Sequence, residues 1–297
     1  MRKRFIESKQ EMEKILAQKS VQTFFQKIYD VRKGSGNHVE APEDIYTIIM
    51  DTVESYSKLY PLVEYFFPIG NVPGKIIIGK DVTAAEFKPD NVALSAENFA
   101  INVEFEYGNG FKVAKVIFIS NNMIDAQPDQ YEAYIVKELA RAIALALDDA
   151  ILNGQGKDSY QLEGIIKNLP EQNIIGITLT ELNDILEPIN LVDSGEYNDN
   201  EIVAIVNRNT YYKKLLKHLI SCSNPGALPK FTFCYAMPED KILYADLSKY
   251  ILIQRGGFTL ESSKHVRFIG DETGYKGKMY FEGKPGRSEA FALVNLQ

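Results

Sequence analysis

One long helical pattern limits the folds open to this chain more than any other feature. It runs from residue 128 to residue 165, with the sequence PDQYEAYIVKELARAIALALDDAILNGQGKDSYQLEGI. Pro128 suits the first turn of a helix and Gly154 suits a C-terminal cap. A helix over 128–153 would be a rod of about 38 Å, longer than an ordinary globular helix. Apolar residues at helical spacing predict its buried stripe: Tyr131, Ile135, Leu139, Ile143, Ala146, Ala150 and Ile151.

Charge is distributed unevenly along the 297 residues. The net charge is −7, but residues 1–33 contain nine Lys or Arg against four Asp or Glu, a local +5 that leaves −12 for the remainder. An acidic body argues against a dedicated nucleic-acid-binding protein, which would present a basic face. The basic first segment is a candidate contact for nucleic acid or an acidic partner, although such a run is more often a solvated helix face.

The cysteines and the hydropathy indicate a cytoplasmic protein. Cys222 and Cys234 are the only cysteines and form no CxxC motif, so we expect free thiols in a reducing compartment. We find no secretory leader and no run of about 18 apolar residues, so we expect no membrane span.

Three patterns organise the first half of the chain. Residues 41–59 predict an amphipathic helix. Residues 65–95 alternate short extended runs with proline and glycine turns, which predicts a β-arm too poor in apolar residues to fold alone. Residues 99–120 predict a hairpin around Gly108-Asn109-Gly110, in which Glu106 would lie opposite Lys112.

The second half mixes short helices and strands. Residues 178–189 predict a short helix capped by Thr178 or Thr180, and residues 208–220 predict a second amphipathic helix. Strands are predicted at 201–206, 231–235, 242–244, 250–254, 266–269, 278–281 and 290–294. We expect the last three of these to return to the sheet of the first half.

Motifs that carry chemistry are nearly absent. The three histidines form no metal-binding spacing, and no glycine-rich segment has the order of a nucleotide-binding loop. His218 and Cys222 are four residues apart, so a thiolate–imidazole pair is possible, but a structural pair is the stronger interpretation. Asp148 and Asp149 diverge on a helix and are interpreted as solvated. We therefore predict no catalytic residue, no metal and no cofactor.

The order of several blocks resembles the major capsid proteins of tailed bacteriophages, which have the Hong Kong 97-type fold. The blocks are an arm with Lys88-Pro89, the long helix with ILNGQG and LEGI, the segment VAIVNRNTYYKKLLKHL, and a closing stretch with DLSKY, VRF and EAFALV. Together they cover roughly residues 41–297. Because independent blocks occur in the family's order, the resemblance is specific.

The resemblance implies an α+β fold in four parts. Residues 1–40 would form an N-terminal arm, and 41–175 the first part of a peripheral domain. That part would include an extended loop at 66–95 and the spine helix at 128–153. Residues 176–255 would form an apical domain, and 256–297 would return to the peripheral domain.

The resemblance also implies partners and a location. The chain would assemble with itself into hexamers and pentamers, helped by a scaffolding protein, a portal and a prohead protease. It would enclose double-stranded DNA without sequence-specific contact and would touch no membrane. It would be part of the virion, assembled in the cytoplasm of a bacterial host. The candidate subunit contacts are Lys80, Glu86, Lys88, Pro89, Tyr131 and Arg141.

Two departures from the family pattern and two alternatives accompany this interpretation. Residues 1–40 are too few for the fused scaffolding domain of some relatives, so we expect a separate scaffold. Residues 274–278 contain no Asn, so we expect no Lys–Asn cross-link with Lys88.

An encapsulin, a bacterial compartment shell of the same fold, is the first alternative. A small cytosolic hydrolase using His218 and Cys222 is the remote one.

Overall fold

Two five-stranded sheets and one long helix form the body of the molecule. The computed structural model describes residues 23, 39–40, 43–68, 73–79, 101–126, 128–195, 201–220 and 228–297. Its α-helices are α1 (Glu43–Tyr56), α2 (Asn121–Ala126), α3 (Pro128–Asn153), α4 (Asn183–Leu186) and α5, in which Arg208–Thr210 and Leu216–Leu219 flank a π-helical Tyr211–Leu215. Short 3₁₀ turns lie at Tyr60–Leu62, Lys157–Ser159, Ile166–Asn168, Glu171–Asn173, Glu187–Leu191, Leu247–Lys249, Phe268–Gly270 and Ser288–Ala290.

The described strands form three sheets. The strands are β1 (Val39–Glu40), β2 (Glu64–Phe66), β3 (Gly74–Gly79), β4 (Ile101–Tyr107), β5 (Phe111–Ser120), β6 (Ile174–Ile177), β7 (Val203–Val206), β8 (Lys230–Phe233), β9 (Lys241–Ala245), β10 (Tyr250–Arg267), β11 (Glu272–Pro285) and β12 (Phe291–Leu296). The first sheet has the order β1-β10-β11-β5, with β2 beside β10, and the second has the order β6-β12-β9-β7-β8. β3 and β4 pair with each other alone.

The spine helix α3 confirms the predicted bounds at both ends. The stripe Ile135, Leu139, Ile143 and Ile151 is buried against β5, β11 and α1. Ala146 is exposed, whereas Ala140, Ala144 and Leu147 are buried, so the stripe is turned slightly from the predicted one. The helix ends where Gly154 N–H donates to Ala150 O at 3.0 Å.

The second sheet is covered on both faces. One face joins the core of the first sheet and α3 through Val203, Ile205, Leu243 and Leu293. The other face carries a second apolar cluster, closed by α5 and by residues 179–192. The predicted strand at 290–294 is confirmed as β12, but it pairs with β6 and β9. Only β10 and β11 return to the sheet of the first half.

The predicted hairpin at 99–120 is wrong. β4 pairs with β3, and β5 pairs with β11, so the two strands belong to different sheets. Glu106 forms its ion pair with Lys75 at 2.7 Å, and Lys112 lies opposite Tyr280. The turn residues of a hairpin therefore form a corner between two sheets.

Asp148 fastens the spine helix to the end of α1, and its interpretation as a solvated residue is wrong. Its carboxylate is buried and accepts hydrogen bonds from Ser57 Oγ at 2.5 Å, from Lys58 N at 3.0 Å and from Leu59 N at 3.1 Å. Burial raises the pKa of this carboxyl, and the hydrogen bonds from Ser57 and the two amides oppose that rise. The side chain therefore links the spine helix to the residues that follow α1.

The glycine-rich loop after α3 is compact and is closed by backbone hydrogen bonds. Gly156 N donates to Leu162 O and Gly164 N donates to Gly154 O, both at 2.9 Å. Glu163 N donates to Gly283 O at 2.8 Å, which ties the loop to β11. Two chain segments cross here at backbone contact distance, which explains the recurrence of glycine in NGQG and LEGI.

The helix predicted at 178–189 is shorter than expected. Only Asn183–Leu186 is α-helical, followed by the 3₁₀ turn Glu187–Leu191. Its N-cap residue is Leu182, which makes no side-chain capping bond, so neither Thr178 nor Thr180 is the cap. The carboxylate of Asp184 instead accepts from Thr180 N and Glu181 N, both at 2.7 Å, and these bonds lower its pKa.

Candidate subunit interfaces

The β3–β4 arm is fixed to the body at its base. The Glu282 carboxylate accepts hydrogen bonds from Gly110 N at 2.7 Å and from Gly108 N at 2.9 Å. Beside it, the Arg255 guanidinium lies 5.3 Å from the centre of the Tyr107 ring. The predicted contact residues Lys80, Glu86, Lys88 and Pro89 belong to the segment that β3 and β4 flank, and they lie outside the described residues.

We expect Glu282→Ala to loosen the base of this arm. The change removes the acceptor of two backbone N–H groups next to β11, which should cost about 1–3 kcal/mol of unfolding free energy. Hydrogen exchange of the Gly108 and Gly110 amides should accelerate relative to the amides of β11. Glu106→Ala, which removes an exposed ion pair on the same arm, should stay within about 0.5 kcal/mol of the unchanged protein. Equal effects of the two changes would contradict this role for Glu282.

Of the two predicted contacts on the spine helix, the structure describes the side chain of Arg141 but not that of Tyr131. Arg141 is exposed, lies 5.2 Å over the Tyr56 ring and has Glu138 at 3.8 Å. Tyr131 lies within α3, and its side chain is outside the described part of the molecule. Arg141 therefore remains accessible to a neighbour on the outer face of α1 and α3.

The tip of the β10–β11 hairpin exposes a compact apolar group that the sequence interpretation missed. Val266, Phe268 and Ile269 point to solvent, and Ile269 is fully exposed. The turn is held by Asn121, whose Nδ2 donates to Asp271 Oδ1 at 2.6 Å. In the sequence, this apolar group is marked by three nearly consecutive apolar residues just before a Gly-Asp turn. Neighbouring apolar side chains that are exposed together are typical of interaction sites.

A carboxylate between two lysines lies further along the same hairpin. Glu261 pairs with Lys276 and, at 2.5 Å, with Lys278. The hydrogen bonds from the two lysines lower the pKa of Glu261 from 4.5 to about 2. The bond to Glu261 raises the pKa of Lys278 in turn. The cluster joins β10 to β11 at the part of the hairpin that leads to its tip.

This cluster predicts a pH dependence. Because the pKa of Glu261 is lower in the folded chain, its ionised form stabilises the fold above pH 4.5, and this stabilisation is lost as the pH falls towards 2. We expect Glu261→Gln to lower the unfolding free energy at neutral pH by up to about 1 kcal/mol. Urea titrations from about pH 7 to pH 3 should show this difference shrinking. A difference that does not change with pH would contradict the assignment.

Aromatic rings collect at the β8 edge of the second sheet. The Tyr211 ring centre is 4.9 Å from that of Phe233 and 5.2 Å from that of Phe231, both edge-to-face. Tyr212 stacks on Phe233 at 6.2 Å, and Arg208 lies 5.9 Å over Tyr212. Tyr212 and Phe233 are both exposed. Amphipathic spacing predicts α5 itself. It does not predict the ring contacts, because they join α5 to β8, which comes about 20 residues later in the chain.

The described residues contain no group of three or more His, Cys, Asp or Glu side chains placed to hold a metal ion. Burial raises the pKa of the Cys234 thiol to about 12, which leaves it protonated and poorly nucleophilic. His218 is half-buried on α5, and its proposed partner Cys222 lies outside the described residues. Within the described part of the chain, no helix has the length and apolarity to cross a membrane.

Comparisons with known proteins agree with this architecture. The satellite phage P4 procapsid, solved with its size determination (Sid) protein, has a TM-score of 0.59 at 13% identity, covering 92% of this chain and 97% of that chain. A structure from Microbacterium phage Oxtober96 has a TM-score of 0.57 at 14% identity, with 81% and 91% covered. A virus-like particle from Pyrococcus furiosus gives 0.55 at 11% identity, with 86% and 100% covered. No curated protein sequence matches the chain.

The sequence itself also matches a family. The model of the phage capsid family matches residues 38–218 and 230–296, which include the β3–β4 arm, the spine helix and both five-stranded sheets. The two observations are consistent, because the fold found in phage capsids is also the fold of this chain. The chain therefore belongs to the phage capsid family and has the α+β, Hong Kong 97-type capsid fold.

Proposed function

We propose that copies of this major capsid protein assemble as hexamers and pentamers into an icosahedral shell that encloses phage DNA. The family match over most of the chain is the observation that carries the proposal. The protein is a structural component of a virion capsid, and we propose that its role involves no catalysis. Assembly would take place in the cytoplasm of the bacterial host.

The β3–β4 arm supports a shell function. Among the described side chains, the apolar cluster at this arm has three buried members: Phe105 of β4, and Ile251 and Ile253 of the body. Ile77 on β3 remains more than half exposed. A two-stranded ribbon is marginal in water, so a neighbouring subunit that covers it would contribute much of its stability. Shell affinity would then come from many repeated contacts of modest area.

The sequence candidates take their place in this proposal. Lys80, Glu86, Lys88 and Pro89 would lie in the extended loop at 66–95, over an adjacent subunit. Tyr131 and Arg141 would contribute from the spine helix. Residues 1–40 would serve as an arm towards scaffold or DNA. The peripheral domain would comprise 41–175 and most of 256–297, and the apical domain 176–255 joined by β12.

The other partners follow from the same proposal. A separate scaffolding protein, a portal and a prohead protease would assist assembly. The DNA would be packaged without sequence-specific contact, since the chain beyond residue 33 carries a net −12 and would repel it. A gene neighbourhood with portal, protease and terminase genes would support this set. A neighbouring peroxidase or ferritin-like gene would favour the compartment-shell alternative, which the comparisons do not support better than the phage capsid.

Size-exclusion chromatography with light scattering tests self-assembly. The purified chain, alone or with the products of adjacent genes, should elute as rings or shells far above its 33.5 kDa monomer mass. A denaturing gel of the same material should show one band, because we expect no Lys–Asn cross-link. A ladder of covalent oligomers would contradict that expectation. A species that stays monomeric with every adjacent gene product would contradict assembly itself.

A further inference from the structure

The two outer edges of the second sheet differ in charge. Residues 171–193, which contain β6 and the turns after it, hold five acidic residues and no Lys or Arg. We call β6 with this segment the acidic edge. Residues 208–220, which comprise α5 and the residue after it, precede β8 and hold four Lys or Arg and no acidic residue. We call β8 with α5 the basic edge.

The strand order places β6 and β8 at opposite ends of the second sheet, and the acidic segment and α5 cover the same face of that sheet. In the strand order β6-β12-β9-β7-β8, the outer strands lie about 19 Å apart, at four spacings of about 4.8 Å. Ile185 of the acidic segment and Leu215 and Leu219 of α5 are buried in the same cluster. The apolar side of each segment is thereby used within the subunit. The charged side chains Glu181, Glu187, Lys213 and Lys217 are exposed.

Each edge also offers apolar surface. On the basic edge Tyr212 is 54% exposed and Tyr235, just after β8, is 93% exposed. On the acidic edge Ile174 of β6 is exposed. Aromatic residues and Arg are enriched at the centre of protein interfaces, with charged residues around them. Arg208 over Tyr212 and the stacked Phe233 have this composition.

We propose that the basic edge of one copy binds the acidic edge of the next copy around a capsomer ring. The contact would join two different surfaces of the same chain, and such a head-to-tail contact closes into a ring when its rotation divides a full turn. Like edges would repel, so the charge pattern favours rotation over a twofold pairing of equal surfaces. This inference rests on the proposed capsid function.

Charge reversal on one edge should block the contact. Three reversals are needed to change the sign of an edge. The basic edge, which holds five Lys or Arg, changes from +5 to −1 in the triple variant Arg208→Glu, Lys213→Glu and Lys217→Glu. The acidic edge changes from −5 to +1 in the triple variant Glu171→Lys, Glu181→Lys and Glu187→Lys. Either triple variant should raise the protein concentration needed for ring or shell assembly by roughly tenfold or more, because like charges then face each other. A single chain that carries all six changes has edges of opposite sign again, and it should assemble at a lower concentration than either triple variant.

Mixing the two triple variants gives a sharper test. Each copy then finds a complementary edge only on a copy of the other kind, so the ring must alternate. Rings with an even number of subunits can alternate, whereas pentamers cannot. The mixture should therefore form hexameric rings without closed shells, as counted in electron micrographs. Assembly of either variant alone at the concentration of the unchanged protein would contradict the proposed contact.

A matched control separates this contact from general charge effects. Lys112→Glu with Lys115→Glu reverses two exposed lysines on β5 of the first sheet and should leave the assembly concentration unchanged. Circular dichroism should show every variant folded. If the unchanged protein assembles and both edge variants assemble equally well, the edge contact is wrong and the capsid function stands. If the unchanged protein fails to assemble with its gene neighbours, the capsid function and this contact both fail.

Discussion

Gly164→Ala should unfold or severely destabilise the subunit. A Cβ at this position would lie 2.8 Å from Leu152 O and from the Asn153 carbonyl carbon, and closer still to Gly154 N. All three atoms belong to backbone at the end of the spine helix, so none can move aside as a side chain would. Because overpacking a rigid site costs about 1–3 kcal/mol and sometimes more, we expect a loss of about 3 kcal/mol in urea unfolding.

Gly257→Ala is the matched control for this change. A Cβ there would meet only the Tyr46 ring, at 4.0 Å, so the substitution should stay within about 1 kcal/mol of the unchanged protein in either direction. Both changes remove a glycine from the unfolded chain, and their difference isolates the crowding at Gly164. A Gly164→Ala protein as stable as the Gly257→Ala protein would show that the backbone of the loop after the spine helix can move to make room for a Cβ.

Asp148→Ala should have a comparably large effect. The change leaves the hydroxyl of Ser57 and the amides of Lys58 and Leu59 without their acceptor, in a site closed to solvent. Each unsatisfied buried donor costs about 1–3 kcal/mol, so a total loss of about 3 kcal/mol is expected. Burial of the carboxylate opposes part of this contribution, as its raised pKa shows. Thermal or urea unfolding measures the difference.

The neighbouring Asp149 provides the control. It is exposed and accepts a single side-chain hydrogen bond from Asn153 at 2.9 Å. Asp149→Ala should change stability by no more than about 0.5 kcal/mol. The two substitutions alter the same residue type on the same helix, one position apart. Equal stability of the two variants would contradict the role of Asp148 in holding the end of α1 against the spine helix.

Features encoded over short sequence distances could be predicted well. The spine helix follows from a local repeat of apolar residues, a first-turn proline and a terminal glycine, and its bounds are confirmed as Pro128–Asn153. The buried strand at 203–206 and the amphipathic α5 follow from equally local patterns. The family could be recognised because several such blocks occur in one order.

Features that depend on distant partners could not be predicted. The turn Gly108-Asn109-Gly110 has the composition of a hairpin, but Glu282, far along the chain, binds its amides and makes it a corner. The sequence pattern around Asp148 indicates a solvated carboxylate, because its partners in residues 57–59 are equally remote. The same limit applies to β12, whose apolar residues suit either sheet.

The candidate interfaces show this limit most strongly. The predicted contacts came from the family resemblance, and among them the structure describes the side chain of Arg141. The hairpin tip around Ile269 and the two edges of the second sheet emerged only from the fold. An exposed Phe or Lys in a sequence gives no sign of its surroundings, whereas its position on a rigid edge does.

Electron microscopy of the assembled protein tests the central claim most directly. The chain, expressed alone or with its adjacent genes, should form closed icosahedral shells, and a reconstruction should accept this fold with the spine helix and both sheets in every subunit. Density for the β3–β4 arm should lie against a neighbouring copy. Monomers under every condition, or an open assembly without fivefold and sixfold rings, would contradict the account.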